Sequence, residues 1–238
     1  MTAGSTMEFI AAAPSDGDNY IYASDGNRLF VTKDGGEEWN SIPVSNRGFL
    51  SGLTIHPTKP ETVWTAQGQG VFMTEDAGEN WTEISGTLPN IPALTVAYQG
   101  GDEETMYVGM TVGVYYKDNT MEDWAPLMED FPNVRVSELE LLPCDGLLRA
   151  ATYGRGLWEI DAVNFNGSSL QVETLVGDVD CQSASNGSVE LVVSGGVEPY
   201  NIQWETGETT DKLEFLNEGT YRALITDATF CRRTAVEK

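Results

Sequence analysis

The sequence predicts an all-β protein, and three observations support this fold class. Short runs rich in Val, Thr and Tyr alternate with polar turns, a pattern that is typical of strands. No stretch carries a long apolar stripe with the 3.6-residue period of a helix, and residues 134–142 alternate apolar and polar side chains instead. Three similar segments also recur at regular spacing along the sequence. We therefore expect strands throughout and little or no helix.

The charge of the chain limits the classes of function. It has 37 acidic and 13 basic residues, a formal net charge of -24, and the acidic residues are spread along the whole sequence. Such a surface repels phosphate backbones, so we expect no nucleic-acid partner. No run of 18 apolar residues is present, so we expect no membrane insertion. A solvated surface of a secreted or salt-exposed protein explains the acidity, and a calcium-loaded surface is the alternative.

The repeated segment defines units of a β-propeller. Residues 28–39, 70–81 and 113–124 align, each ending in a tryptophan, and a fourth copy starts at Gly156. Two apolar strands precede each copy, which gives about four strands per unit of 42–43 residues. A four-stranded meander buries both faces only by stacking on neighbours, so this period is typical of propeller blades. The prediction is a partial or small β-propeller over residues 1–165, with about four blades of four-stranded antiparallel sheet near 7–44, 45–88, 89–131 and 132–165.

A turn motif within these units carries a family resemblance. The pattern Ser/Thr-x-Asp-x-Gly-x-x-Trp is complete in two copies and altered in the third. It resembles the Asp-box, or BNR repeat, of propellers of the sortilin, xyloglucanase and sialidase type. Asp can accept backbone N–H groups in such a turn, Gly supplies a positive φ, and Trp can fill the space between blades. The resemblance implies a structural role, away from the ligand face, for Thr32, Asp34, Gly36, Trp39, Thr74, Asp76, Gly78, Trp81, Asn119 and Trp124.

A second segment, residues 151–158 (ATYGRGLW), resembles the stretch that closes the last blade of sortilin-like and glycosidase-like bacterial propellers. Arg155 lies between two glycines, which predicts a turn. Tyr153 and Arg155 are therefore candidates for contact with a ligand. Bonding of Arg155 to neighbouring carbonyl groups is the alternative.

The fourth unit has three predicted strands and leaves the repeat pattern at Val163. Fewer blades are present than the resembling families use, so we expect the C-terminal part of a larger propeller. Its open faces and edges would favour self-association. The alternative is a four-bladed ring that borrows residues 167–176 as its last strand.

Residues 166–238 predict a second, smaller domain. Short alternating strands with frequent turns are typical of a β-sandwich, in which Trp204 would fill the core and Tyr221 would be a corner tyrosine. Residues 189–231 contain S-G-G-x-x-P-Y, a later W-x-x-G-x-x-T and T-D-A before a cysteine, which resembles the SprB repeat of gliding-motility adhesins. The resemblance implies an Ig-like spacer or display module. It also implies a disulfide between Cys181 and Cys231, which leaves Cys144 as an ordinary thiol.

Together the resemblances imply a non-enzymatic extracellular or cell-surface protein for recognition or adhesion, exported as part of a longer protein. Its propeller would bind a glycan or a partner protein. The alternative is a fragment of a secreted glycoside hydrolase with its catalytic residues mostly outside this chain. The Arg-Ile-Pro motif of sialidases is absent, and no motif anchors the carboxylates Asp16, Asp18, Glu138 and Glu140, so no catalytic residue is nominated.

No cofactor is expected. Calcium is the alternative, because residues 16–19 and 177–180 predict oxygen-rich turns. Neither turn has the spacing of an EF-hand loop. Solvated turns are the simpler interpretation.

Overall fold

The computed structural model describes residues 7–101, 103–127, 131–165, 168–177, 186–228 and 230–237. These residues form strands and turns with no helix, which confirms the predicted all-β class. The chain divides into two compact units. The first runs to Leu141 and includes Leu148–Ile160, and the second comprises Leu142–Leu147 and the chain from Asp161 onwards.

The first three blades are antiparallel four-stranded sheets with their strands in chain order. The first blade contains β1 (Phe9–Ala12), β2 (Ile21–Ser24), β3 (Leu29–Thr32) and β4 (Asn40–Ile42). The second contains β5 (Leu50–Ile55), β6 (Val63–Gln67), β7 (Gly70–Thr74) and β8 (Thr82–Glu83). The third contains β9 (Ala93–Gln99), β10 (Thr105–Met110), β11 (Gly113–Lys117) and β12 (Ala125–Pro126).

Adjacent blades bury their faces against each other, as the repeat period predicts. Strands β3, β6 and β10 are buried along their whole length, as expected for strands covered on both faces. Tyr22 and Val31 of the first blade share a core with Leu50 and Val63 of the second. At the next junction Trp64 stacks on Tyr98, with ring centroids 4.5 Å apart. The apolar repeat thus produces stacked sheets.

The fourth sheet has three strands in the described residues, β13 (Val136–Leu142), β14 (Leu147–Thr152) and β15 (Gly156–Asp161). The predicted departure from the four-strand pattern is confirmed. The alternative in which residues 167–176 complete this sheet is wrong. That segment forms β16 (Ser168–Gly177), which pairs with β17 (Gly187–Gly196) in a separate sheet.

The described residues of the second unit form two three-stranded sheets around one core. One sheet has the order β16, β17 and β19 (Lys212–Leu216), and the other has β18 (Asn201–Trp204), β20 (Tyr221–Thr226) and β21 (Arg232–Glu237). Trp204 lies in the shared core and donates its Nε1–H to the carbonyl of Thr210 at 2.8 Å. The Tyr221 hydroxyl donates to the carbonyl of Asn217 at 3.0 Å, as a corner tyrosine does. The Ig-like assignment stays a prediction.

The disulfide differs from the one that the resemblance implied. Cys231 is bonded to Cys144, with 4.5 Å between their Cα atoms, and Cys181 lies outside the described residues. The physical reason is that the turn Leu142–Leu147, which joins β13 to β14, belongs to the second unit. Gly146 of this turn accepts a hydrogen bond from the Ala162 amide at 2.8 Å. The prediction that Cys144 is a free thiol is therefore wrong.

Candidate functional site

The predicted turn motifs hold their own backbone in place. In the first, Thr32 Oγ1 donates to Asp34 Oδ1 at 2.7 Å, and the Glu38 amide donates to the same oxygen at 3.0 Å. The second repeats the arrangement, with Thr74 Oγ1 and the Asn80 amide donating to Asp76 Oδ1 at 2.7 and 2.9 Å. Both carboxylates are committed to bonds within their turns, which supports a structural role rather than a catalytic one.

These bonds also lower the pKa of both carboxyl groups. The Asn80 amide is the largest influence on Asp76, followed by the Asn80 and Thr74 side chains, and together they lower its pKa to about 2. The pKa of Asp34 is lowered chiefly by the Glu38 amide and then by the Thr32 hydroxyl. Both groups therefore stay ionised at neutral pH.

The glycines and tryptophans of the motif have separate roles. Gly36 and Gly78 adopt positive φ values of 101° and 94°. Trp81 packs against the core that the first and second blades share, and buried Trp124 donates its Nε1–H to the Ile84 carbonyl of the second blade at 2.7 Å. The two tryptophans thus contact residues of neighbouring blades, while Trp39 is half-buried.

The altered third turn uses a different position. Asp118, one residue before Asn119, accepts from the Thr120 amide at 2.8 Å and from the Thr120 hydroxyl at 2.6 Å. The carboxylate that organises this turn therefore precedes the position that the alignment assigned.

The unanchored carboxylates are distributed over separate elements, the turn between β1 and β2 and the strand β13. Asp16 accepts a hydrogen bond from the Asn19 side chain at 2.8 Å, within its own turn. Glu138 and Glu140 lie two residues apart on β13, and burial followed by the charge of Glu140 raises the pKa of Glu138. In the part of the chain that the structure describes, no group of three or more His, Cys, Asp or Glu residues could hold a metal ion.

The turns of the first unit fall at two ends of the blades, because successive strands run in opposite directions. At one end, which we call the carboxylate end, are the turns 13–20, 33–39, 56–62, 75–81, 100–104 and 118–124. Hydrogen bonds from the Gly35 amide to Asn19 and from the Ala77 amide to Glu61 join neighbouring turns there. At the other, the arginine end, are the turns 25–28, 68–69, 111–112 and 153–155, and the segments that lead into each first strand.

Charges are separated between these two ends. The turn 33–39 contains Asp34, Glu37 and Glu38, and the turn 75–81 contains Glu75, Asp76 and Glu79, whereas the basic residues of that end's described turns are Lys33 and Lys59. The loops and leading segments of the arginine end contain Arg28, Arg47, Arg135 and Arg155, and in sequence they also contain the acidic residues Glu8, Asp25, Glu129 and Asp130. The arginine end is therefore balanced in charge, whereas the carboxylate end is strongly acidic.

The turn 153–155 combines a fixed backbone with exposed side chains. The Tyr153 amide donates to the Arg135 carbonyl at 2.8 Å, and Trp158 Nε1–H donates to the Arg155 carbonyl at 3.1 Å. Thr152 Oγ1 donates to the Gly156 carbonyl at 2.7 Å. The Tyr153 side chain nevertheless is 80% exposed, and Arg155 is exposed as well. The two candidates therefore lie together at the arginine end.

Arg135 is a third member of this group that the sequence did not single out. Its carbonyl holds the Tyr153 amide, and its side chain is exposed where the chain enters β13. The repeat alignment contains the signal, because the segments before β5 and β13 both carry an arginine, Arg47 and Arg135. Among the described residues, no ion pair involves the side chains of Arg135 or Arg155.

Comparisons with known proteins support the fold and the second unit. Residues 176–209 match the SprB repeat family, and no curated protein sequence matches the chain. An ancestral GH74 enzyme is similar in structure, with a TM-score of 0.56, 11% identity, and coverage of 99% of this chain and 39% of that one. The extracellular domain of a hybrid two-component system, BT4673 of B. thetaiotaomicron, has a TM-score of 0.51, 13% identity, and coverage of 99% and 37%.

The chain thus spans less than two fifths of either similar structure. At these identities the similarity shows the fold alone, which is of the β-propeller type. The SprB repeat indicates a surface-exposed protein. Within the described ranges, no helix has the length and apolar character needed to cross a membrane.

Proposed function

We propose that this chain is a non-enzymatic recognition segment of an exported cell-surface protein. The propeller-type unit binds a glycan at the arginine end, and the unit with the SprB repeat acts as a spacer that displays it. The observation that carries the proposal is Tyr153, an 80% exposed aromatic side chain on a turn that hydrogen bonds hold in place.

The chemistry of the turn suits a sugar. A tyrosine ring offers an apolar face for a pyranose ring and a hydroxyl for a hydrogen bond. The guanidinium of Arg155 adds several N–H donors for sugar oxygens. Because the backbone of the turn is already fixed, binding costs less conformational entropy than ordering a loose loop would.

Adhesion is the use that we infer for this recognition. A SprB repeat is typical of surface proteins, and residues 176–209 match that family. Adhesion to a glycan on another surface requires contact residues that are exposed to solvent. Tyr153 and Arg155 have that exposure.

A glycoside hydrolase fragment is the second candidate, favoured by the similarity to a GH74 enzyme. Hydrolysis requires two carboxylic acids on either side of the scissile bond. Asp34 and Asp76 are engaged in their turns, and this candidate has its catalytic residues mostly outside this chain. Glu138, whose pKa is raised by burial and then by the charge of Glu140, is the carboxyl group that this chain would contribute. Release of reducing sugar from xyloglucan, and its loss in Glu138→Gln, would favour this candidate over the first.

The test of the proposal is glycan-array binding by the full chain and by Tyr153→Ala. We expect the wild type to bind a defined set of glycans and Tyr153→Ala to bind them at least tenfold more weakly. Phe215→Ala is the matched control, because Phe215 is also 80% exposed but lies in the second unit. Equal melting temperatures would show that all three proteins fold. Wild-type binding in Tyr153→Ala, or no binding of any glycan by the wild type, would refute the proposal.

A further inference from the structure

We propose that the ligand of the Tyr153 turn is an acidic, carboxylate-bearing oligosaccharide, and that Arg135 and Arg155 bind its carboxylates. The inference rests on the proposed function and specifies the class of glycan. Two observations carry it. Charge differs between the two ends of the blades, and two arginines at one end have no ion-pair partner among the described residues.

A protein with a net charge of -24 repels anions over most of its surface. An anion is therefore repelled least where basic side chains balance the acidic ones. Among the turns of the first unit this condition holds at the arginine end, where four arginines occur against Glu8, Asp25, Glu129 and Asp130 in sequence. The carboxylate end has a large excess of acidic residues. The charge of the protein thus repels a small anion less from the arginine end than from the carboxylate end.

The four arginines of that end are not equivalent. Arg28 pairs with Asp25 at 2.7 Å, and Arg47 pairs with Glu83 at 2.7 Å, so protein carboxylates already neutralise both. No such partner occurs for Arg135 or Arg155 among the described residues. These two exposed guanidinium groups are the ones that remain to pair with a ligand.

The two free arginines are neighbours of Tyr153 along the backbone. The Arg135 carbonyl accepts the Tyr153 amide at 2.8 Å, and Arg155 follows Tyr153 by two residues. A guanidinium group binds a carboxylate through two parallel N–H···O bonds, and a tyrosine ring stacks on an apolar sugar face. Arg135, Tyr153 and Arg155 therefore match a ligand in which sugar rings and carboxylates alternate, as they do in a polymer of uronic acids.

The same balance disfavours a nucleic acid as the ligand. Nucleic-acid binding depends on neutralising several phosphates along an extended path. The described loops offer two unneutralised arginines beside one turn, and the rest of the chain is strongly acidic. A short oligosaccharide needs no more than this local site.

Calorimetric titration of the full chain with oligogalacturonate tests the inference, with methyl-esterified oligogalacturonate as the ligand control. Esterification removes the charge and keeps the sugar chain. We expect the acid to bind at least tenfold more tightly than the ester in 50 mM salt. The double variant Arg135→Gln/Arg155→Gln should lose at least tenfold in affinity for the acid. Lys33→Gln/Lys59→Gln is its matched control, because it changes the net charge equally at the carboxylate end, and it should bind as the wild type does.

Four outcomes would overturn the inference. Binding of the ester as tightly as the acid would refute acidic specificity while leaving glycan recognition at Tyr153 intact. Equal losses in the two double variants would show that only overall charge matters. Equal affinity for single-stranded DNA of the same charge would refute a saccharide ligand. Binding of neither acid nor ester would refute the inference, and the glycan array would then decide the proposed function separately.

Discussion

Replacing Cys144 with serine should destabilise the second unit strongly. The Cys144–Cys231 bridge closes a loop with a sequence separation of 87 residues. In the chain-entropy model a loop of this length reduces the entropy of the unfolded chain enough to stabilise the fold by about 4.6 kcal/mol. Small domains have total stabilities of roughly 5–15 kcal/mol, so this loss is a large share of the whole. It corresponds to a fall of about 20 °C or more in the melting temperature of a unit of this size.

The assay is calorimetry of wild type, Cys144→Ser and Cys181→Ser, together with peptide mapping under non-reducing conditions. We expect the transition of the second unit to fall in Cys144→Ser and in reduced wild type, and to stay unchanged in Cys181→Ser. Mapping should recover a peptide pair that contains Cys144 and Cys231. Recovery of a Cys181–Cys231 pair, or destabilisation by Cys181→Ser alone, would refute the reasoning.

Three further predictions concern single side chains. The fold lowers the pKa of Asp76 from 3.8 to about 2, so the stability that its ionised form contributes is complete above pH 3.8 and is lost as the pH falls through 2. In urea unfolding, Asp76→Asn should therefore show a smaller decline of the midpoint below pH 4 than the wild type. The control Glu75→Gln should decline as the wild type does. Burial, followed by the charge of Lys59, lowers the pKa of His56, the sole histidine. Its NMR titration should therefore have a midpoint below pH 6.5. The stability that the neutral imidazole contributes should decrease as the pH falls from 6.5 through that midpoint. Trp204→Ala should cost about 3–5 kcal/mol in urea unfolding, because the ring lies in the core, and a loss below 1 kcal/mol would contradict that placement.

The blades could be predicted from the sequence because their period is a direct result of packing. The second strand of each of these blades is covered by the blades on both sides, so it must be apolar. Val63–Gln67 and Thr105–Met110 are the second strands of their blades, and both are fully buried. The bonds of the turn motifs were predictable for a similar reason, since they form within a few residues of one another.

The disulfide could not be predicted because it depends on which unit a turn joins. Cys144 lies between two strands of the fourth blade, and sequence order places it with the propeller. Its turn is nevertheless part of the second unit, where Gly146 accepts the Ala162 amide. Such a contact between distant segments leaves no periodic signal.

The separation of charge was equally hidden. Acidic residues are spread along the sequence, so composition suggests an even surface. Alternation of strand direction sorts the turns of the first unit into two groups, and the four arginines of its described loops fall in one of them. Arg135 was missed because the alternating pattern of residues 134–142 reads as a continuous strand, whereas the strand begins at Val136.

The Cys144–Cys231 bridge also decides how the chain responds to mechanical load. A surface protein that is pulled through its backbone transmits tension along the shortest covalent path, which here runs through the bridge. The 87 residues of separation correspond to about 300 Å of extended chain that force cannot release while the bridge is intact. Trp204 and the strands β16 to β20 thus lie outside the line of tension, whereas β21 follows Cys231 and stays in it.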